Sequence, residues 1–153
     1  MDQIDRDLLA QLLADGRATY QELGRSVRLA PNTVADRVRR MRAAGVLTGF
    51  HAQLDLAALG RALTLLTDIR LRDGADRGAF EAGLVRVPQV ISAARLTGEY
   101  DFQLRVVCAN SAEFETVVDT LKRDHDVRES RSRLLLHELP LGPRGLLDVR
   151  IPT

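Results

Sequence analysis

TYQELGRSVRLAPNTVADRVRRMRAAG, from Thr19 to Gly45, is the stretch on which the reading of this chain turns. Thr19 followed three residues later by Glu22 is a capping-box signature, so a helix begins there. Leu23 and Val27 supply its buried face. Gly24 costs about 1 kcal/mol relative to alanine in an exposed helix, which predicts that another helix approaches closely at that point. A break follows at Arg28-Leu29. Pro31 suits the first turn of the next helix, Val34, Val38 and Met41 form its inward stripe, and Gly45 ends it. Ala30 stands where a serine or aspartate cap is usual, which forfeits about 1 kcal/mol of capping and leaves an amide free for an anion such as a DNA phosphate. Two short helices joined by a tight turn are a helix-turn-helix.

With that stripe inward, Asn32, Thr33, Asp36, Arg37 and Arg40 are expected on the outer side of the second of these helices. Asn and Thr hydrogen-bond base edges, and Arg binds guanine or a phosphate through charge-assisted pairs. Arg25, Arg28, Arg39 and Arg42 flank this surface. The whole chain has a net charge of only +1, yet Arg25 to Arg42 holds six arginines against one acid, Asp36. A basic stripe on one helix face is the electrostatic footprint of a nucleic-acid binder. The alternative for such a charge run is an ordinary solvated face.

Upstream, Ile4, Leu8, Leu9 and Leu12 make the apolar stripe of a preceding helix, stopped at Asp15-Gly16. Downstream, Val46 to Leu54 reads as a small strand or wing, and Asp55 to Gly60 as a linker with a short helical turn. The period then changes. Leu63, Leu65, Ile69 and Leu71 alternate as a half-buried strand, and Phe80, Leu84 and Val87 mark a helical face. Val90 to Thr97 is β-rich. Phe102, Leu104, Val106 and Cys108 alternate again. Asn110 with Glu113 resembles a second capping box, before Phe114, Val117, Val118 and Leu121 on one helical face. Val127 to Leu136 is a last strand. The order β-α-β-β-α-β is a ferredoxin-like unit, and the fold class is α+β. Two helices cover one sheet face. The other face needs cover, which predicts a homodimer in which two sheets meet. The expected domains are 1–55, a winged helix-turn-helix; 56–61, a linker; 62–139, the ferredoxin-like unit; and 140–153, an irregular tail with a short strand around Leu146 to Ile151.

Composition narrows the classes. At 153 residues, 45% hydrophobic and 28% charged, the chain is an ordinary globular protein rather than a disordered or collagen-like one. No uncharged run is long enough to span a bilayer. The N-terminus, with Asp2, Asp5, Arg6 and Asp7, lacks the apolar core of a signal peptide. A single cysteine, Cys108, allows no intramolecular disulfide and reads as core. A cytoplasmic protein is the expectation. His51, His125 and His137 lack metal-ligand spacing, Ser111 and Ser132 lack a histidine partner, and no phosphate-binding glycine loop occurs. Asp124-His125-Asp126 reads as a solvated loop. No catalytic residue, metal or cofactor is expected.

One motif remains, Gly98-Glu99-Tyr100-Asp101. Glycine exposes backbone amides of the kind that bind anions, and Asp101 suits an ammonium group, so together they fit the head of an amino acid. The competing reading is a hairpin turn whose aspartate bonds its own backbone.

The chain resembles the leucine-responsive/asparagine (Lrp/AsnC) regulators of bacteria and archaea. The resemblance rests on Asp5, Gly16-Arg17, Leu23, Leu29, Val34, Arg37, Val38, Gly45, Val46 and Asp55, and on GEYDF at Gly98 to Phe102, in order and across both domains. It implies a winged helix-turn-helix joined to a ferredoxin-like effector (RAM) domain. It also implies dimers that often assemble to octamers, degenerate palindromic operators in double-stranded DNA, and an amino acid or related metabolite as effector near Gly98, Glu99, Tyr100 and Asp101. Paired third helices would enter successive major grooves about 34 Å apart. Two other readings stand beside this one: an enzyme like the siroheme decarboxylases, which are similar to the same family, and a metabolite-binding protein without specific DNA recognition.

Overall fold

The computed structural model describes residues 1–148, which fall into two units: Met1–Gln53 with residues 140–148, and Leu54–Leu139. Among the described residues no helix is long and apolar enough to cross a membrane.

The first unit holds α1 (Gln3–Ala14), α2 (Tyr20–Val27) and α3 (Pro31–Ala43). Each starts where local chemistry dictates. Asp2 and Asp5 form a capping box on α1, and Thr19 and Glu22 form the expected one on α2. Leu8, Leu9, Leu12, Leu23, Val34, Val38 and Met41 make one buried cluster, so the inward stripes are as the periodicity indicates. Residues 46–54 form no strand. The Val46 and Leu47 amides both turn back to the Met41 carbonyl and finish α3. Leu47 packs on the helical core, and an extended segment without a laddered neighbour is not a strand. The tail also differs from expectation. Arg144–Leu147 is a 3-10 turn, closed by the Leu146 amide on the Pro143 carbonyl, and Leu147 packs on the same core. The remainder of the strand expected to Ile151 lies outside the described residues.

The second unit has the expected order: β1 (Leu63–Leu71), α4 (Arg77–Gly83), β2 (Val90–Arg95), β3 (Phe102–Cys108), α5 (Ser111–Asp124) and β4 (Val127–Leu134). The antiparallel sheet runs β2-β3-β1-β4. Alternate residues of β1 and β3 (Ile69, Leu71, Phe102, Leu104, Val106 and Cys108) join Phe80, Leu84, Val117 and Leu121 in one core. Cys108 is core, as its alternation indicates. On the opposite sheet face Asp68 is buried and satisfied, accepting from Gln103 Nε2 at 2.8 Å and from Arg133 at 2.5 Å.

His125 departs from the solvated-loop reading. It is buried, and a Cβ on Gly83 would stand 2.5 Å from its Nδ1. The glycine is the space this imidazole needs beside α4.

Only half of the second expected capping box forms. Asn110 accepts from the Glu113 amide, but the Glu113 carboxylate turns to other partners: the Ala109 amide at 2.8 Å, Gln89 Nε2 at 2.8 Å, and the Arg61 guanidinium. Led by the Ala109 amide, then Gln89, then Arg61, these donors lower its pKa to about 2. A depressed carboxyl pKa stabilises the fold above the usual value of 4.5 and loses that contribution as pH falls toward 2. Glu113→Gln is therefore expected to lower the melting temperature at pH 7 and to flatten its decline between pH 4.5 and 2. Parallel melting curves for the two proteins across that range would contradict the assignment.

Candidate DNA interface and effector cleft

α3 presents the expected surface with one change. Asn32, Thr33, Asp36, Arg39, Arg40 and Arg42 are exposed while Val34 and Val38 are fully buried. Arg25 and Arg28 are exposed on and after α2. Ala30 makes no side-chain cap, so the first amides of α3 stay free of a capping group.

Arg37 does not join the outer face. Its side chain is 17% exposed and its Nη1 donates to Asp2 Oδ2 at 2.7 Å and Asp5 Oδ1 at 2.8 Å. The same two carboxylates cap α1, so one guanidinium ties the N-terminus of α1 to the middle of α3. The Asp5 amide and then Arg37 hold the Asp2 carboxyl below its usual range. At Asp5 burial acts in the opposite sense, but the Asp2 amide and Arg37 outweigh it. Two charge-assisted bonds on a half-buried group are worth keeping for stability. Arg37→Ala is expected to lower the melting temperature of this unit by about 4 °C. An unchanged melting temperature with a large loss of DNA affinity would return Arg37 to the DNA surface.

Arg39 is bound to Asp36 at 2.6 Å, one turn away on the exposed face. Arg40, Arg42, Arg25 and Arg28 make no ion pair among the described residues. These four are exposed cations on α2 and α3, or just after α2, that a polyanion can reach.

The turn that sets α3 against α2 explains Gly24. A Cβ there would lie 2.5 Å from the Leu29 carbonyl oxygen and 3.7 Å from the Pro31 nitrogen. The close approach is thus the backbone of the turn itself, not a neighbouring helix. The Leu29 amide bonds the Gly24 carbonyl at 2.9 Å, and Arg28 takes a left-handed conformation at φ 57°.

In the second unit β1 pairs with β3 so that Ile69 faces Phe102. That register brings the Asp73-Gly74 turn after β1 beside the Gly98–Asp101 turn before β3. Between them is a cleft of about 410 Å³. Gly98 has φ +110° and open space at its Cβ position, a conformation suited to glycine. Asp101 closes the corner. It accepts from the Leu71 amide at 2.9 Å and from Arg77 at 2.8 Å, its own amide donates to Ile69, and its carbonyl accepts from Leu96. Arg77 first, and the Leu71 amide second, depress its pKa. Each carboxylate oxygen accepts one hydrogen bond, so Asp101 braces the turn from the cleft wall. The carboxylate's backbone partner is on β1, not in its own hairpin. Tyr100 is half-buried, with its hydroxyl 3.4 Å from Glu129. Glu99 is exposed and makes no ion pair among the described residues. The cleft's arginines, Arg70, Arg72 and Arg77, escaped the sequence reading. No motif marks them; Arg70 and Arg72 come to this place through the β1–β3 register, and Arg77 from the start of α4.

Comparison with known proteins settles the lineage. The family model for the AsnC-type helix-turn-helix domain matches residues 1–42, and that for the Lrp/AsnC ligand binding domain matches residues 64–143. The chain belongs to the Lrp/AsnC family. The HTH-type transcriptional regulator Rv2324 of Mycobacterium tuberculosis is 32% identical over 91% of this chain and 94% of its own length. The leucine-responsive regulatory protein of Salmonella typhimurium is 27% identical over 98% of this chain and 93% of its own. Among solved structures, the transcriptional regulator NMB0573 of Neisseria meningitidis, in complex with L-Met, superposes with a TM-score of 0.84. It is 29% identical and covers 95% of this chain and 99% of that one. The resemblance seen in the sequence therefore holds, and with it an Lrp/AsnC-type helix-turn-helix followed by a ligand-binding domain.

Proposed function

We propose that this Lrp/AsnC regulator recognises specific, palindromic double-stranded DNA through α3, and that an amino acid or related metabolite bound beside the Gly98–Asp101 turn modulates its affinity or assembly. The observation that carries the reading is the outer face of α3, where Asn32, Thr33 and Asp36 lie beside Arg40 and Arg42, which make no ion pair among the described residues. Arginines supply salt-dependent affinity for phosphates, and the Asn and Thr side chains choose bases. Arg37 acts by positioning α3. The relatives' names as transcriptional regulators support a protein that is not an enzyme. The L-Met bound to NMB0573 supports an amino acid as effector class. Two copies meet through the open sheet face around Asp68, and the protein works in the cytoplasm, where its DNA is. Effector binding that favours one assembly is then a coupling of binding free energies.

Selection of bound fragments from sheared genomic DNA at near-physiological salt tests the reading. An Arg40→Ala, Arg42→Ala variant serves as control. The wild type is expected to recover a shared palindrome and the variant none. Equal recovery by both would remove α3 as the reader and move the metabolite-binding and siroheme readings ahead.

A further inference from the structure

α3 has two flanks as well as an outer face. A helix turns by about 100° per residue, so Asn32, Asp36 and Ala43 stand opposite the buried Val34, Val38 and Met41. Thr33 and Arg40 lie to one side of that line. Ala35, Arg39 and Arg42, at i, i+4 and i+7, lie to the other. On this second flank the helix borders a hollow of about 670 Å³, lined also by Tyr20 at the start of α2 and by Thr48. Thr48 belongs to the segment that forms no wing strand. Its place follows from the Val46 and Leu47 amides, which bond the Met41 carbonyl and bring the chain back against the end of α3. The same turn engages the Arg40 and Arg42 carbonyls, with the Ala44 and Gly45 amides, so these oxygens are not left facing an incoming anion.

The lining of the hollow holds two guanidinium groups, Arg39 and Arg42, and no carboxylate. Asp36, on the outer face, pairs with Arg39 at 2.6 Å, and with that acid counted the balance is still one positive charge. Tyr20 and Thr48 are exposed, and among the described residues no hydrogen bond occupies either hydroxyl. Ala35 and Ala43 are short side chains that let a bulky partner approach the helix closely. Guanidinium and hydroxyl donors beside a small apolar surface match a sugar-phosphate backbone. Resting on the reading of α3 as the DNA reader, we propose that this hollow seats the backbone of one strand bordering the major groove. Arg42 and the Tyr20 and Thr48 hydroxyls hold its phosphates, and Arg40 on the opposite flank faces the other strand. A helix about 10–12 Å across fills a groove about 12 Å wide, so each flank meets one of the two backbones. Thr48 thereby contacts DNA without a wing.

Binding of the full-length protein to a random-sequence duplex, and to the palindrome it selects, decides the matter. Tyr20→Phe with Thr48→Ala removes both hydroxyls and no charge. This variant is expected to bind both duplexes about tenfold more weakly, with the slope of log affinity against log salt unchanged. Its melting temperature should not move, since both side chains are exposed. Replacing single phosphates by uncharged methylphosphonates, strand by strand, then locates the contact. Positions that weaken the wild type but not the hydroxyl variant are expected on one strand of each half-site. Positions that weaken the wild type but not Arg40→Ala are expected on the other. Wild-type affinity in the hydroxyl variant, or both sets of positions on one strand, would overturn the proposal and leave α3 as the reader. A wild type that binds neither duplex would overturn that reading and the proposal with it.

Discussion

Gly24→Ala lowers the stability of the helix-turn-helix unit, and Gly24→Val prevents it from folding cooperatively. Alanine is better than glycine in a helix by about 1 kcal/mol, so propensity alone predicts the opposite sign for the first change. Sterics decide against it. The new Cβ would sit 2.5 Å from the Leu29 carbonyl oxygen, a backbone atom. That carbonyl cannot swing away cheaply. The amide of the same residue bonds Gly24, Arg28 already holds a positive φ, and Pro31 locks the next helix start. Overpacking of this kind costs about 1–3 kcal/mol, and valine adds two methyl groups to the same gap. A unit of this size has little stability to lose. Thermal melts followed by circular dichroism would show the loss in the helical signal, with the sheet unit's transition unmoved. A Gly24→Ala protein that melts at or above the wild-type temperature would refute the steric account.

The second large effect is electrostatic. Arg40→Ala with Arg42→Ala should leave stability nearly unchanged, because both side chains are exposed and neither is in an ion pair among the described residues. DNA affinity should fall by about tenfold to a hundredfold near 0.1 M salt. The slope of log affinity against log salt should shrink by about 3.6 for a dimer on its palindrome, at roughly 0.9 for each of the four phosphates no longer neutralised. The loss should be equal on specific and random duplexes, since phosphates carry no sequence information. Asn32→Ala should behave differently and relax preference at one base pair while the salt slope stays. An unaltered slope in the arginine variant would show that phosphates are held elsewhere, with Arg25 and Arg28 as the next candidates.

Most of the architecture was legible because it is written in short-range patterns. Thr19 and Glu22 are three residues apart and cap the helix they begin. Pro31, Val34, Val38 and Met41 describe α3 without reference to anything outside it. Alternation in β1 and β3 and helical spacing in α5 suffice for the β-α-β-β-α-β order. The family resemblance is legible for the same reason, since it follows residues in chain order. Where a local signal had no partner to complete it, the reading failed. Residues 46–54 have strand-like composition but no laddered neighbour, and their first amides serve the end of α3 instead.

Site chemistry was only half legible. The sequence by itself placed Asn32, Thr33, Asp36, Arg37 and Arg40 on one outer face, with Arg42 among its flanking arginines, and singled out the Gly98–Asp101 turn. Only the tertiary structure decided which charges there are free. Arg37 is drawn off by Asp2 and Asp5, some 35 and 32 residues away in the chain. Asp101 is drawn off by Arg77 and the Leu71 amide, 24 and 30 residues away. Arg70 and Arg72 reach the cleft through strand pairing. Helical period and caps are fixed by neighbours along the chain, but an ion pair depends on the distance between side chains in space, and that distance exists only once the chain has folded.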